Sequence, residues 1–570
     1  MTFGEESLDL DRQRATNFWM IPSVGLLVLS GILFQSKLTA IAAALPKRIF
    51  IEPSFSIALL QRSSLALGFG LASVLFLIWL YSPYGRGKFT WAQIDDVGGL
   101  RWPIFFVGMA LAWAYAGYRY NYYFDQSHLW DRWLIVALLF GTLRSPLLLP
   151  LFAFEILMSR AQFAHPISAI LPIGDELPLR IMGIVVGCAL WNGLVDTLTA
   201  SRSHGSFKAF RKWLAPARIQ THVLVFTILC LVGFYYAVAG IGKLKIGTDV
   251  LDWLMFSHME NLFISSHLNG WLSSLTETRA LDVADMIRTL HLPIAGMSLA
   301  IELGAVLILV RRRGTLLILA AISVMHFGIV LSSGVIFWKW LVLDLSLLIW
   351  LWRRREDPEI GRMYSKSNAL LSIVVIGAIV AIFNLNQFAW WNTKWTMRYE
   401  VEVLDEAGNV YRVSHADFSP YTFFDLYLPD DRELQTYAFG MTINQRLMEF
   451  FEDPDPKRLK AFGRGNGMEE MGPAVAQSAR IFRDFMTRYF THRNEHPSRR
   501  VLPFLWPSPA MHNRALTGPD VYRDQSPVAE VRLRFQEIYY TGSELQTMRD
   551  KIVYSTPIAL PSKGAPSTPP

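Results

Sequence analysis

The chain has 570 residues, a mean hydropathy of +0.27 and a hydrophobic fraction of 52%, both high for a soluble protein of this length. Its net charge of +7 is modest, and no aromatic-and-basic platform accompanies the basic runs, which argues against nucleic acid as a partner. Cys188 and Cys230 are the two cysteines, both inside apolar stretches, which excludes a disulfide framework and a cysteine-based zinc cluster; no metal site is expected.

Residues 1–18 are polar and of mixed charge, unlike a cleavable signal peptide, so the first apolar stretch reads as an uncleaved anchor. Windows near the ~20 residues that cross a bilayer follow at 19–36, 63–81, 102–118, 133–157, 180–198, 219–240, 290–310, 314–334, 335–352 and 369–390. The fourth is broken by Arg144, Pro146 and Pro150, so it is one kinked helix or two, and the total is ten or eleven. The most basic short connections are the 199–218 loop, Arg311–Arg313 and Arg353–Arg355. A positive-inside arrangement places all of them in the cytoplasm, and places 241–289 and everything after Trp391 on the outer face of the cell membrane.

From 395 the pattern changes. Met397–Leu404 and Val410–Val413 flank Asp405-Glu406-Ala407-Gly408-Asn409, which predicts a β-hairpin. Ala474–Thr491 has the apolar spacing of an amphipathic helix, and Val528–Tyr540 alternates like a strand. Residues 557–570 are rich in Pro and Ser and read as a disordered tail. The expected fold class is a membrane all-α multi-pass helical bundle (19–392) followed by a soluble α+β domain (395–556).

Ionisable groups within a bilayer are costly, so they are the first candidates for function. Tyr236, Gly240 and Lys243 fall on one face of the sixth apolar window, with Lys243 at its outer end. Lys243 either snorkels to the headgroups or is an amine kept from water, where burial favours the uncharged form and allows base or nucleophile chemistry. Glu302 and His326 lie inside later windows, and His128 sits just before the fourth; each reads either as a polar residue satisfied by a neighbour or as part of a site. His258-Met-Glu260 lacks the cysteine partners of a zinc deaminase, and Gly463–Gly467 lacks the Lys-Ser/Thr of a phosphate loop. Gly183 and Gly187, four apart, form a small-residue pair that lets helices approach closely.

Tyr235-Tyr236-Ala-Val-Ala239-Gly240-Ile-Gly-Lys243-Leu244 resembles the Tyr-Phe-x-Ala-Gly-x-x-Lys-Leu segment of vitamin K-dependent γ-glutamyl carboxylases and the wider HTTM membrane family. Ile301-Glu302-Leu303-Gly304, Arg311–Arg313, Met325-His326-Phe327 and Ile336-Phe337-Trp338 follow in that family's order, and Ser127-His128-Leu129-Trp130 resembles its Asn-His-x-Tyr segment upstream. The likeness runs over roughly residues 100–350 and departs from the family after Leu244, where Lys245–Asp249 intervenes before Trp253. It implies Lys243 as the base that deprotonates a reduced quinone such as vitamin K, with His128, Glu302 and His326 assisting. Oxygenation of the quinol anion then yields a base that takes a γ-proton from a glutamate, which captures CO2. Tyr236, Gly240, Phe337 and Trp338 would hold the cofactor.

The first functional reading is therefore a quinol-dependent, carboxylase-like membrane enzyme that modifies an exported peptide or protein. The second is a non-catalytic maturation factor or subunit of a membrane complex. A transporter ranks last, because no inverted repeat is present.

Overall fold

The computed structural model describes residues 3–83, 89–167, 173–200, 208–245, 249–382, 390–392, 394–421, 437–439, 472–498, 501, 508–509 and 515–561. Helices α1 (Phe3–Ala43), α2 (Phe55–Arg62) and α3 (Ser64–Tyr81) open the chain. They are followed by α4 (Arg101–Ala116), α5 (Leu129–Thr142), α6 (Leu149–Ile167), α7 (Ile173–Ala200), α8 (Lys208–Leu214) and α9 (Thr221–Lys245). The short α10 (Asp252–Phe256), α11 (Met259–Leu268) and α12 (Glu277–Thr289) lead to α13 (His291–Gly304) and α14 (Arg312–Ser333). Then come α15 (Trp338–Arg353), α16 (Pro358–Gly361) and α17 (Lys366–Ile382).

Among the described residues, five helical stretches are long and apolar enough to cross a membrane: Trp19–Ala43, Pro146–Pro166, Gly174–Thr199, Ala215–Lys245 and Arg312–Ser333; three bent helix pairs raise the number to eight. That is fewer than the ten or eleven expected. The 133–157 stretch is two helices, because Ser145 accepts the Leu147 N–H and Pro146 opens a 3₁₀ turn before α6 restarts. With 16, 14 and 16 residues, α4, α5 and α15 are shorter than the ~20 residues a crossing needs.

Helix α14 turns an apolar face outward and carries its polar residues inward, against the pattern of a soluble bundle helix. On α14, Leu317, Val324, Phe327 and Leu331 are each more than half exposed, whereas Thr315, Ser323, His326 and Ser333 are buried. The small-residue pair acts as its spacing predicts. A Cβ on Gly183 would come 2.6 Å from the Phe34 Cβ, and one on Gly187 would collide with Ser30, so α1 and α7 touch almost backbone to backbone.

The connections gather at two ends. At one, Arg312 donates to the Arg354 carbonyl, Arg354 to Gly98 O (3.1 Å) and Arg218 to Gln93 O (2.7 Å), so the basic turns lie together. A cleft of about 560 Å³ opens there between Arg218, Gln220, Asp357 and Glu359. At the other end lie α10–α12, the 117–128 loop and the C-terminal part.

The C-terminal part contains β1 (Trp390–Asn392), β2 (Trp395–Asp405), β3 (Val410–Val413), β4 (Tyr437–Phe439), α18 (Gly472–Glu495), β5 (Val528–Tyr540) and β6 (Leu545–Pro557). Its four-stranded antiparallel sheet runs β3-β2-β5-β6. The predicted hairpin is β2–β3: the Asp405 carboxylate accepts the Ala407 and Asn409 N–H groups, and Gly408 takes φ +84°. Phe482, Phe485, Met486, Tyr489 and Phe490 form the buried stripe of α18. The stretch expected to be a tail from 557 is held to the sheet at its start, since Pro557 closes β6 and the buried Ile558 gives its N–H to Ala529 O; residues 562–570 lie outside the described residues.

The sheet and α18 share one apolar core with the bundle. Tyr540 packs with Phe263, Ile264 and Ala280 of α11 and α12, and Arg288 donates to Gly542 O. The 117–128 loop is tied down by charge. Arg119 pairs with Asp417 (2.9 Å), and buried Arg493 of α18 pairs with Asp417 and Asp524. Burial opposes the charge of Asp524, but the Arg493 guanidinium outweighs it and holds that carboxyl below its usual range.

Gly183→Ala is expected to lower the melting temperature in detergent, because overpacking costs ~1–3 kcal/mol. Gly25→Ala, on a face with nothing within 4 Å, should leave it unchanged or raise it. Equal melting of the two variants would contradict the close α1–α7 contact.

Candidate functional site

Helix α9 is the innermost element: 94% of its apolar window is buried. Its polar side chains therefore meet protein on every side. Tyr236 and Lys243 lie on one face, about 10 Å apart along the axis. Gly240, between them, lets α13 come close: a Cβ there would stand 3.1 Å from the Glu302 Cβ and 3.0 Å from Leu303.

That approach delivers Glu302 to Lys243. The amine donates to Glu302 Oε1 at 2.6 Å and to Ser298 Oγ at 3.3 Å, and sits 4.5 Å from the Trp253 ring centroid. The side chains are 8% and 6% exposed, so Lys243 does not reach out to solvent. A cation over an indole face gains further electrostatic stabilisation.

Deeper along the same face, the Tyr236 hydroxyl donates to Asp344 Oδ2 at 2.6 Å and lies 2.7 Å from His326 Nε2. Since the hydroxyl proton is used on the carboxylate, the phenol oxygen must accept from His326 Nε2–H, which leaves Nδ1 of the neutral ring as its lone-pair nitrogen. Phe337 and Trp340 pack on the imidazole at 5.4 and 6.2 Å between ring centroids. Glu302 Oε2, His326 Nδ1 and Asp344 Oδ1 are buried without a hydrogen-bond partner among the described residues.

Lys243, Glu302, Tyr236, Gly240, His326 and Phe337 thus come together on converging helices. Two predicted residues do not join them. Trp338 turns away to stack edge-on with Trp113 of α4 at 5.2 Å. His128 belongs to a separate buried group at the start of α5, where it takes φ +47°. Its ring lies between Phe55 (5.5 Å) and Phe124 (6.4 Å), with Nδ1 3.8 Å from Asp131 Oδ2. Asp131 in turn accepts from Ser54 Oγ, Phe55 N and Ser56 N, and Ser56 Oγ donates to Glu155 at 2.9 Å. Arg132 donates to the carbonyls of Ala116, Tyr118, Arg119 and Ser127, which folds the loop that carries this group.

Sequence reasoning missed Asp344, Glu155 and the pair Asp175–Lys339, which also receives the Tyr115 hydroxyl. The signal was present for Asp344 and Glu155, each an acid inside an apolar window. The chain matches no protein-family model, no curated protein and no solved structure.

Lys243→Met should cost ~3–5 kcal/mol of stability, because it leaves Glu302 charged and unpaired in the interior. The double variant Lys243→Met/Glu302→Met should recover most of that loss. A double-mutant cycle in detergent checks this; a single variant as stable as the parent would mean that the pair is not buried.

Proposed function

We propose that the chain is a multi-pass integral membrane protein whose buried Lys243–Glu302 and Tyr236–His326–Asp344 groups handle a proton for a lipid-soluble substrate. The observation that carries this reading is the collection of five ionisable side chains, from α9, α13, α14 and α15, inside a bundle whose outward residues are apolar. Such groups are expensive to keep from water and are retained where they act on protons, ions or substrate.

The resemblance to the vitamin K-dependent carboxylases and the HTTM family names the substrate class as a reduced quinone, with an exported peptide or protein as acceptor. The residues fit a ring that bears hydroxyls. Glu302 Oε2, His326 Nδ1 and Asp344 Oδ1 are open to hydrogen bonding, and Trp253, Phe337 and Trp340 supply ring faces. A bound quinol would supply the acidic hydroxyl. Glu302, 2.6 Å from the Lys243 amine, is placed to exchange a proton with it and so to leave the amine as the base. Tyr236 relays a proton between His326 and Asp344.

The gathering of the basic turns at one end supports a membrane orientation. The clustered basic turns face the cytoplasm, and α10–α12 with the C-terminal sheet face outward. Cysteines placed at Ser274 and Ser543 should both react with a membrane-impermeant maleimide in intact cells. Reaction at only one, or at neither, would overturn this orientation.

For the chemistry, the purified full chain is supplied with reduced vitamin K, oxygen, labelled bicarbonate and a glutamate-rich peptide. Label should enter the peptide, and Lys243→Met/Glu302→Met should abolish it while remaining folded. Incorporation that survives in the double variant would remove Lys243 from the reaction. If reduced vitamin K neither supports incorporation nor quenches tryptophan fluorescence, the non-catalytic reading stands.

A further inference from the structure

At the outer end of the bundle the 117–128 loop meets the last turn of α18, where three metal-ligating side chains converge and a fourth lies beside one of them. Ligand atoms of Asp125, His492 and Glu495 all lie within 4.8 Å of one another. His496 Nε2 is 3.5 Å from Asp125 Oδ1. His492 and His496 are one helical turn apart, the His496 N–H bonding to the His492 carbonyl at 3.0 Å, and residues at that spacing share a helix face.

The surroundings prepare these groups for a cation. His492 Nδ1 is 2.6 Å from the Tyr122 carbonyl. A carbonyl can only accept, so Nδ1 carries the proton and Nε2 keeps its lone pair, the tautomer that ligating histidines adopt when a backbone carbonyl orients them. The Tyr120 hydroxyl donates to Asp125 Oδ1 at 2.9 Å, and Asp125 is held at φ +55°, a conformation uncommon for residues other than glycine. Tyr120 and His496 both engage Oδ1.

We propose that Asp125, His492, Glu495 and His496 bind a divalent transition-metal ion, zinc by the chemistry of two imidazoles and two carboxylates. The ion clasps the loop to α18. That loop runs straight into His128 and Arg132, so the clasp fixes the buried His128 group from outside the bundle. No cysteine takes part, which is why the cysteine count gave no sign of it. The sequence signal is the run His492-Arg-Asn-Glu495-His496, which places three donors in a single helical turn.

The test uses the full chain in detergent after metal removal by a chelator. Zn2+ should bind with a stoichiometry of one and raise the melting temperature, and Co2+ should give the visible absorption of a tetrahedral site. His492→Gln should weaken Zn2+ binding at least ~10–100-fold. Glu495→Gln, at an exposed position, keeps the fold and should also weaken it. Absence of stoichiometric Zn2+ binding by the folded chain, or binding unaffected by both substitutions, would overturn the site.

Discussion

Helix α9 is enclosed by protein on every side, and each polar group it carries must find its partner inside the bundle. Most of the arrangement around it follows from that constraint. An unpaired buried charge costs several kcal/mol, so Lys243 requires an acid within reach, and α13 can bring Glu302 only because Gly240 has no side chain to hold it off. Tyr236, one and a half to two turns deeper, requires an acceptor and finds it in Asp344, which forces His326 to donate. Two helices that carry no lysine partner, α14 and α15, are thereby locked to α9 through a single phenol oxygen.

The same logic separates the two buried polar groups. His128 ends a loop and Asp131 stands in the first turn of α5 that follows it, not on α9, and Arg132 holds that loop by donating to its carbonyls from within. The loop also faces α18, which joins it through Arg119, Asp417 and Arg493. The C-terminal part is therefore wedged against the segment that positions His128, and a shift of α18 must be felt there. The Lys243 group has its own covering, since Trp253 of α10 packs on the amine and α11 and α12 carry the sheet.

What the sequence made legible was period and charge. The sixth apolar window gave α9, the alternation of 528–540 gave β5 at the same bounds, and the i, i+7 spacing put Tyr236 and Lys243 on one face. The pairing of Glu302 with Lys243 was not legible, because it depends on which helix packs across Gly240. The split of 133–157 was half legible: the prolines marked a break, but only Ser145 capping the next turn shows that it ends one helix and starts another. Trp338 and His128 were grouped with Lys243 by their order along the chain, and order does not specify which way a helix faces. Asp344 was legible and overlooked, since an acid in an apolar window demands a partner as surely as a lysine does.

A purely structural ion pair satisfies itself, and this is where the Lys243 group departs from one. Lys243 has two oxygen partners and an indole face, so the cation is fully provided for. The acids are not. Glu302 and Asp344 each keep one buried oxygen without a partner among the described residues, and His326 keeps its lone-pair nitrogen. Leaving a buried polar atom unsatisfied costs ~1–3 kcal/mol, and packing alone could remove that cost by exchanging the acids for amides or apolar residues. On Glu302, Asp344 and His326 the excess lies on the accepting side. Three spare acceptors suit a partner that brings its own protons, as the hydroxylated ring proposed above would.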